Sequence, residues 1–252
     1  MATRIIIKRM ASLGLALSIL LMPKLPGLLV QVQQVLASAP DSFLQPNAIS
    51  EHPAISNVDV IIDAGHGGID GGTSYGELLE KDINLAIAEK TYEALRKKGY
   101  IVLLNRSGDY ALSGENLWLR SRSRHLKDLA QRSHLANEIK PKAMISLHVN
   151  SARNSSKRGA ILLHQKNEQS KQLARYLQHS LNHLYGIHEK PFYGKTYYLL
   201  KHCRIPTVIV EMGFITNHQD REMLVRPDWQ QAIADHIAIG LEQYLKTSSN
   251  PS

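Results

Sequence analysis

From Val58 onward the chain repeats one unit: a short, nearly continuous apolar run, then a longer stretch with apolar residues every three or four positions. The runs "VDVIID" (58–63), "YIVLL" (100–104), "AMISLHV" (143–149), "GAILLHQ" (159–165), "YYLL" (197–200) and "TVIVEM" (207–212) all have the length of strands. Between them, 82–98 aligns Ile83, Ala86, Ile87 and Leu95, while 117–138 aligns Leu126, Leu129, Ala130 and Ser133. Further on, 168–185 aligns Leu173, Leu177, Leu181 and Leu184, and 228–245 aligns Trp229, Ile233, Ile237, Leu241 and Tyr244. Strands that are apolar almost throughout have no water-facing side. The pattern therefore predicts one α/β domain, a mainly parallel twisted sheet with helices on both faces.

The first 39 residues follow a different pattern. "MATRIIIKRM" carries Arg4, Lys8 and Arg9, "ASLGLALSILLM" runs apolar to Met22, and no acidic residue precedes Asp41. A basic start, a short apolar run and the small-residue triplet "ASA" (37–39) make an export signal or an N-terminal membrane anchor. Lys24, Pro26 and Gly27 leave a long gap before the triplet, and about 13 apolar residues is short for a span. Both alternatives place the working domain outside the cytoplasm. Residues 40–57, with three prolines among Ser and Asn, read as a linker, 58–246 as the working domain, and 247–252 as a flexible tail.

Charge and cysteine content narrow the chemistry. The formal charge is +8, and the four basic residues before position 40 leave about +4 for the remainder. "LWLRSRSRHLKDLAQRSH" concentrates Arg120, Arg122, Arg124, Lys127 and Arg132. Such a stripe is either a solvated helix face or a surface for an anionic wall polymer or membrane. Nucleic acid does not suit an exported chain. One cysteine, Cys203, excludes an internal disulfide and a Cys-rich zinc motif, and reads as a small buried thiol.

Three polar residues end apolar runs at what would be the carboxyl edge of the sheet, where ligands of open α/β folds gather. They are His66 after "VDVIID", His148 in "MISLHV" and Glu211 in "VIVEM". The glycines around His66 in "GHGGIDGG" match neither a P-loop nor a dinucleotide fingerprint. They read instead as freedom for a sharp turn that aims the imidazole into a cleft. Two neutral imidazoles and one carboxylate are donors for a catalytic divalent metal with a position left for water. On residue type, Asp63, Asp70, Glu77, Glu80 and Asp82 all qualify as the carboxylate. His164, His179, His183, His188 and His202 are not read as ligands; His179 and His183 are spaced i, i+4 but lack the zincin glutamate.

Five segments, "VIIDAGHGGIDGG", "LLEKDINLAIA", "QRSHLAN", "MISLHVNS" and "IPTVIVEMGFITN", resemble in order and spacing the zinc-dependent N-acetylmuramoyl-L-alanine amidases of the amidase-3 type. The resemblance covers about Val58 to Leu245 and implies His66, Glu80 and His148 as zinc ligands and Glu211 as the catalytic carboxylate. It implies peptidoglycan as substrate, cleaved between N-acetylmuramic acid and L-alanine. "ITN" after "EMGF", where that family often has Ser-Asn, is a departure that leaves these four residues untouched. The basic insert before "RSHLAN" and the absence of wall-binding repeats are similar to the germination-specific branch. That branch acts on spore cortex on the way to muramic-δ-lactam; an accessory protein, and membrane association through the N-terminus, are compatible with it. Two other readings are a catalytically inactive peptidoglycan-binding protein and another zinc hydrolase acting on wall peptides or N-acetyl groups. The first should have lost one of the four residues, and none is missing. Asn150 beside His148 reads equally as an orienting residue or a strand-end turn.

Overall fold

The structure, a computed structural model, describes residues 57–249; the predicted export segment and the linker before Asn57 lie outside the described residues. Strands β1 (Val60–Ala64), β4 (Val102–Leu104), β5 (Ala143–Asn150), β6 (Ile161–His164), β7 (Phe192–Tyr193) and β8 (Thr207–Phe214) form one sheet. The sheet order is β4-β1-β5-β8-β6-β7. β4, β1, β5 and β8 run parallel, and β6 is antiparallel to β8. A separate two-stranded ribbon, β2 (Ser74–Tyr75) with β3 (Leu78–Leu79), leads into helix α1 (Glu80–Lys97).

Alternation along the strands decides what each sheet face carries. Val60, Ile62 and Ala64 of β1, Ile145, Leu147 and Val149 of β5, and Val208, Val210 and Met212 of β8 belong to one large apolar core. That core is completed by α1, α3 (Glu168–Tyr185), α5 (His218–Val225) and α6 (Pro227–Ser249). The other face holds a smaller cluster in which Ile61 and Met144 meet Ala136 of α2 (Arg124–Ile139), with Leu199 of α4 (Tyr198–His202) and Cys203. Helices thus cover both faces, as the strand composition requires. Cys203 is buried and free.

Local differences from the periodicity reading have local causes. "YYLL" (197–200) is not a strand. Lys201 N–H donates to the Tyr197 carbonyl and Cys203 N–H to that of Leu199, winding the segment into α4, while the edge strand falls at Phe192–Tyr193. A four-residue apolar run fits either state, and here Leu199 and Cys203 meet the core at helical spacing. The helix expected over 117–138 begins only at Arg124. Before it, Asn116 Oδ1 accepts from Leu119 N–H and Ser121 Oγ from Ser123 N–H, side-chain bonds that compete with helix formation. Ser123 then caps α2 by accepting from Leu126 N–H. At the other end, α6 continues to Ser249, into the predicted flexible tail; Thr247 Oγ1 donates to the Gln243 carbonyl at 2.9 Å. No helix among the described residues is long and apolar enough to cross a membrane.

Candidate active site

β1 ends by delivering the chain into a turn, and the carbonyls of Ala64, Gly65 and His66 there need donors. Two buried arginines supply these. Arg106 donates to the carbonyls of Ala64 and Gly65, each at 3.0 Å, and to that of Lys81 at 2.7 Å. Arg132 donates to the carbonyls of Ala64 at 2.8 Å and His66 at 2.7 Å. Arg132 is only 2% exposed and also pairs with Asp63 and Asp128. It is therefore no part of a solvated basic stripe, as its place in "LKDLAQRSH" had suggested. Its spacing of four from Asp128 puts both on one helical face, and that face turns inward.

Held this way, His66 itself takes a left-handed conformation, with φ of 61°, which few non-glycine residues adopt. Of the neighbouring glycines, Gly67, Gly68 and Gly72 take positive φ, the freedom the sharp turn needs, and Gly65 and Gly72 also allow close approach. A Cβ at Gly65 would lie 2.6 Å from His148 Nε2, and one at Gly72 would lie 2.7 Å from His66 Cδ2. The turn is thus both conformationally demanding and packed against the imidazoles.

The ring of His66 is oriented by Asp70, whose Oδ2 lies 2.9 Å from Nδ1. Nε2 lies 3.2 Å from Glu80 Oε1, donating to it when the ring is protonated and offering a lone pair when the ring is neutral with Nδ1–H given to Asp70. His148 Nδ1 approaches the same oxygen at 3.0 Å. The donor atoms of His66, Glu80 and His148 all lie within 4.8 Å of one another. Glu80, only 4% exposed, is fixed by Thr73 N–H on Oε2 at 2.8 Å and by Val149 N–H on Oε1 at 2.9 Å. Burial alone would raise its pKa, yet the His148 and His66 contacts hold it well below the carboxylate range. Burial likewise works to lower His66, but Glu80 and then Asp70 overcome it and push its pKa up to about 9. Two lone pairs facing one carboxylate oxygen repel unless positive charge lies among them. A proton supplies that charge to one pair; a divalent cation would supply it to all three donors and release the proton. The donor set fits a metal.

Glu211 stands beside this cluster. It is the register partner of His148 across β5 and β8, so the two side chains share a sheet face. Burial pushes its carboxyl above the usual value and the charge of Glu80 adds to this, against His148 and His66. All four residues line one cleft of about 450 Å³, together with His125, Asn150, Tyr197 and Tyr198. The other candidate acids are accounted for. Asp63 is buried against Arg132, Asp70 orients His66, and Glu77 and Asp82 are exposed. His179 and His183 lie exposed on α3, and His164 is buried with Nδ1 on the Gln165 carbonyl. Asn150 Oδ1 accepts from Ser151 N–H while lining the cleft. Asp70 as an orienting carboxylate, and Tyr197 and Tyr198 at the start of α4, were not recognised as site residues.

The mainly parallel sheet thus carries at its carboxyl edge a His-Glu-His cluster that could hold a metal ion, with a further acid on the neighbouring strand. The chain matches the Amidase_3 family, N-acetylmuramoyl-L-alanine amidase, over residues 60–243, and belongs to it. A germination-specific N-acetylmuramoyl-L-alanine amidase of Bacillus subtilis is 31% identical over 199 residues, 78% of this chain and 84% of that protein. The CwlD amidase of Clostridioides difficile, solved in complex with the GerS lipoprotein, matches with a TM-score of 0.70 and 32% identity, covering 76% of this chain and 100% of that one. The catalytic domain of CwlV, an N-acetylmuramoyl-L-alanine amidase of Bacillus (Paenibacillus) polymyxa, matches at a TM-score of 0.63 and 29% identity, over 74% of this chain and 97% of that one.

Proposed function

We propose that the protein is a zinc-dependent peptidoglycan amidase, acting outside the cytoplasm on the bond between N-acetylmuramic acid and L-alanine, in spore-cortex processing towards muramic-δ-lactam. The observation that carries the activity is the convergence of His66, Glu80 and His148 within 4.8 Å, in a cleft that Glu211 also lines. His66, Glu80 and His148 would hold the ion. When bound, zinc supplies a Lewis acid that polarises the amide carbonyl and acidifies water.

The protein's own groups do the rest. Glu211, on the strand beside His148, takes a proton from the attacking water and passes it to the departing L-alanine nitrogen. Burial suits it to both steps, because a carboxyl raised above its ordinary value accepts a proton readily. Asp70 keeps His66 in the tautomer that leaves Nε2 free for the ion. The cortex role rests on the likeness to the germination-specific amidase and to CwlD. The structure of CwlD with GerS supports an accessory protein as a further partner here. The basic and apolar N-terminal pattern supports export, by signal or anchor.

Digestion of cortex and vegetative wall by the zinc-loaded protein tests the reading. A new L-alanine amino terminus, greater from cortex, is the expected product. Free acetate would indicate a deacetylase, and no release from either wall with zinc bound would remove the activity.

A further inference from the structure

Asn84 lies one turn along α1 from Glu80 and is fully buried. Its side-chain nitrogen donates to the Gly65 carbonyl and to Glu80 Oε1, each at 3.3 Å. Both neighbours are acceptors, so the amide stands with its two N–H groups towards them. That orientation leaves Asn84 Oδ1 buried with no hydrogen-bond partner among the described residues. A buried polar atom without a partner destabilises a fold, and an aliphatic side chain of similar size would avoid the penalty. The fold has little need of the amide. Without it, Glu80 Oε1 still accepts from Val149 N–H at 2.9 Å, and the Gly65 carbonyl from Arg106 at 3.0 Å. Nor does α1 need it, because asparagine is a weaker helix former than leucine.

What the amide does join is the set of candidate metal ligands. Glu80 Oε1 is the oxygen that faces both imidazoles, 3.2 Å from His66 Nε2 and 3.0 Å from His148 Nδ1. Gly65 precedes His66, and its N–H donates at 3.0 Å to the carbonyl of Leu147, which precedes His148. Through one side chain, the shared oxygen of Glu80 is thus tied to the peptide that carries His66 and that is itself fastened to the strand of His148. Asn84 makes this link as a neutral donor, so it adds no charge that would oppose a cation.

Resting on the zinc-site reading, we infer that Asn84 is a positioning residue for the metal. It holds the Glu80 carboxylate and the Gly65–His66 peptide at a fixed separation in the metal-free protein, so that less ordering is left for binding to supply.

The test uses the full chain, stripped of metal and titrated with zinc against a chelator, with unfolding of the metal-free protein measured alongside. Asn84→Leu should bind zinc about 10- to 100-fold more weakly than wild type. Its metal-free unfolding midpoint should equal or exceed that of wild type, because the unpartnered oxygen is gone. Peptide release by this variant should be lost at limiting zinc and return as zinc is raised. Thr91→Val removes another buried polar group of α1, one that donates to the Ile87 carbonyl, and should leave zinc affinity unchanged. A purely structural asparagine would give the opposite pairing, a lower metal-free midpoint with zinc affinity unchanged, and that result would overturn the inference. So would an equal loss of zinc affinity in Asn84→Leu and Thr91→Val. Should Asn84→Leu fail to fold, Asn84→Ala supplies the comparison, with the same loss of affinity expected and wild-type affinity overturning the inference. Wild-type protein that binds no zinc would remove the zinc-site reading and the inference with it. Zinc bound equally by wild type and the Asn84 variants would remove the inference alone.

Discussion

The two faces of the central sheet use the same strands for opposite purposes. Towards α1, α3 and α6, alternate residues of β1, β5 and β8 are aliphatic and wholly buried. Towards α2 and α4, the intervening positions include Asp63, Ser146, His148 and Glu211. The first face needs only volume and burial. The second buries charge, and tolerates it because Arg132 pairs with Asp63 and Asp128 while Ser146 Oγ and Asn105 Nδ2 donate to Asp63. A strand with period two can thus supply a stabilising side and a chemical side at once. The candidate site residues sit on the side whose interior is held by directional bonds, and Arg132 ties the His66 carbonyl into them.

If this division is right, substitutions on the two faces should separate stability from chemistry. The largest effect is expected at Glu211. Glu211→Gln should lower turnover about 10²- to 10⁴-fold with zinc content unchanged, whereas His148→Ala should lose zinc and turnover together. Peptide release, measured alongside metal analysis, checks both; a Glu211→Gln protein with normal turnover would remove the proposed base.

Next come the interiors. Arg132→Met leaves Asp63 buried and unpaired, and should cost about 3–5 kcal/mol in denaturant unfolding. It should also lower zinc affinity, because Arg132 holds the His66 carbonyl. Ile237→Ala, on the aliphatic side, should cost a similar 2–5 kcal/mol yet leave kcat and zinc affinity intact in the folded fraction. Equal functional loss from both would break the comparison.

Acid sharpens it. Burial works to raise the Asp63 pKa, but the Arg132 guanidinium and the Ser146 bond hold it below the ordinary carboxylate value. A depressed folded pKa means the unfolded chain binds more protons between the two values. The ionised carboxylate then stabilises fully above about pH 3.9 and loses that contribution as pH falls through its folded value. The stability gap between wild type and Asp63→Asn should accordingly be constant near neutrality and narrow below about pH 3.9. Calorimetric or denaturant unfolding at several pH values reads the gap.

Smaller effects complete the series. Asp70→Asn should weaken zinc binding about 10- to 100-fold, measured by competition with a chelator, and barely move stability. Smallest of all, Lys98→Ala removes a surface ion pair that links α1 to α6 through Glu242, and should cost less than about 1 kcal/mol.

Much of this was legible in the residues, and the reasons differ by element. β1, β5 and β8 are long aliphatic runs, and the helices at 82–98 and 168–185 are strongly periodic, so burial itself writes them into the chain. The polar residues that end those runs marked His66, His148 and Glu211. Short or polar elements were less legible. The ribbon of β2 with β3, the strand at Phe192–Tyr193 and the helix at 218–225 are too short for a period to declare itself. The late start of α2 depended on which side chains capture backbone groups around Asn116 and Ser121.

Sequence alone determined the alternating architecture and the strand ends where chemistry gathers, because burial on two faces and the termination of apolar runs are properties of consecutive residues. Tertiary structure decided which of five acids meets the imidazoles, why Arg132 belongs inside, and which tyrosines reach the cleft. Those outcomes depend on groups far apart along the chain whose distances are set by packing.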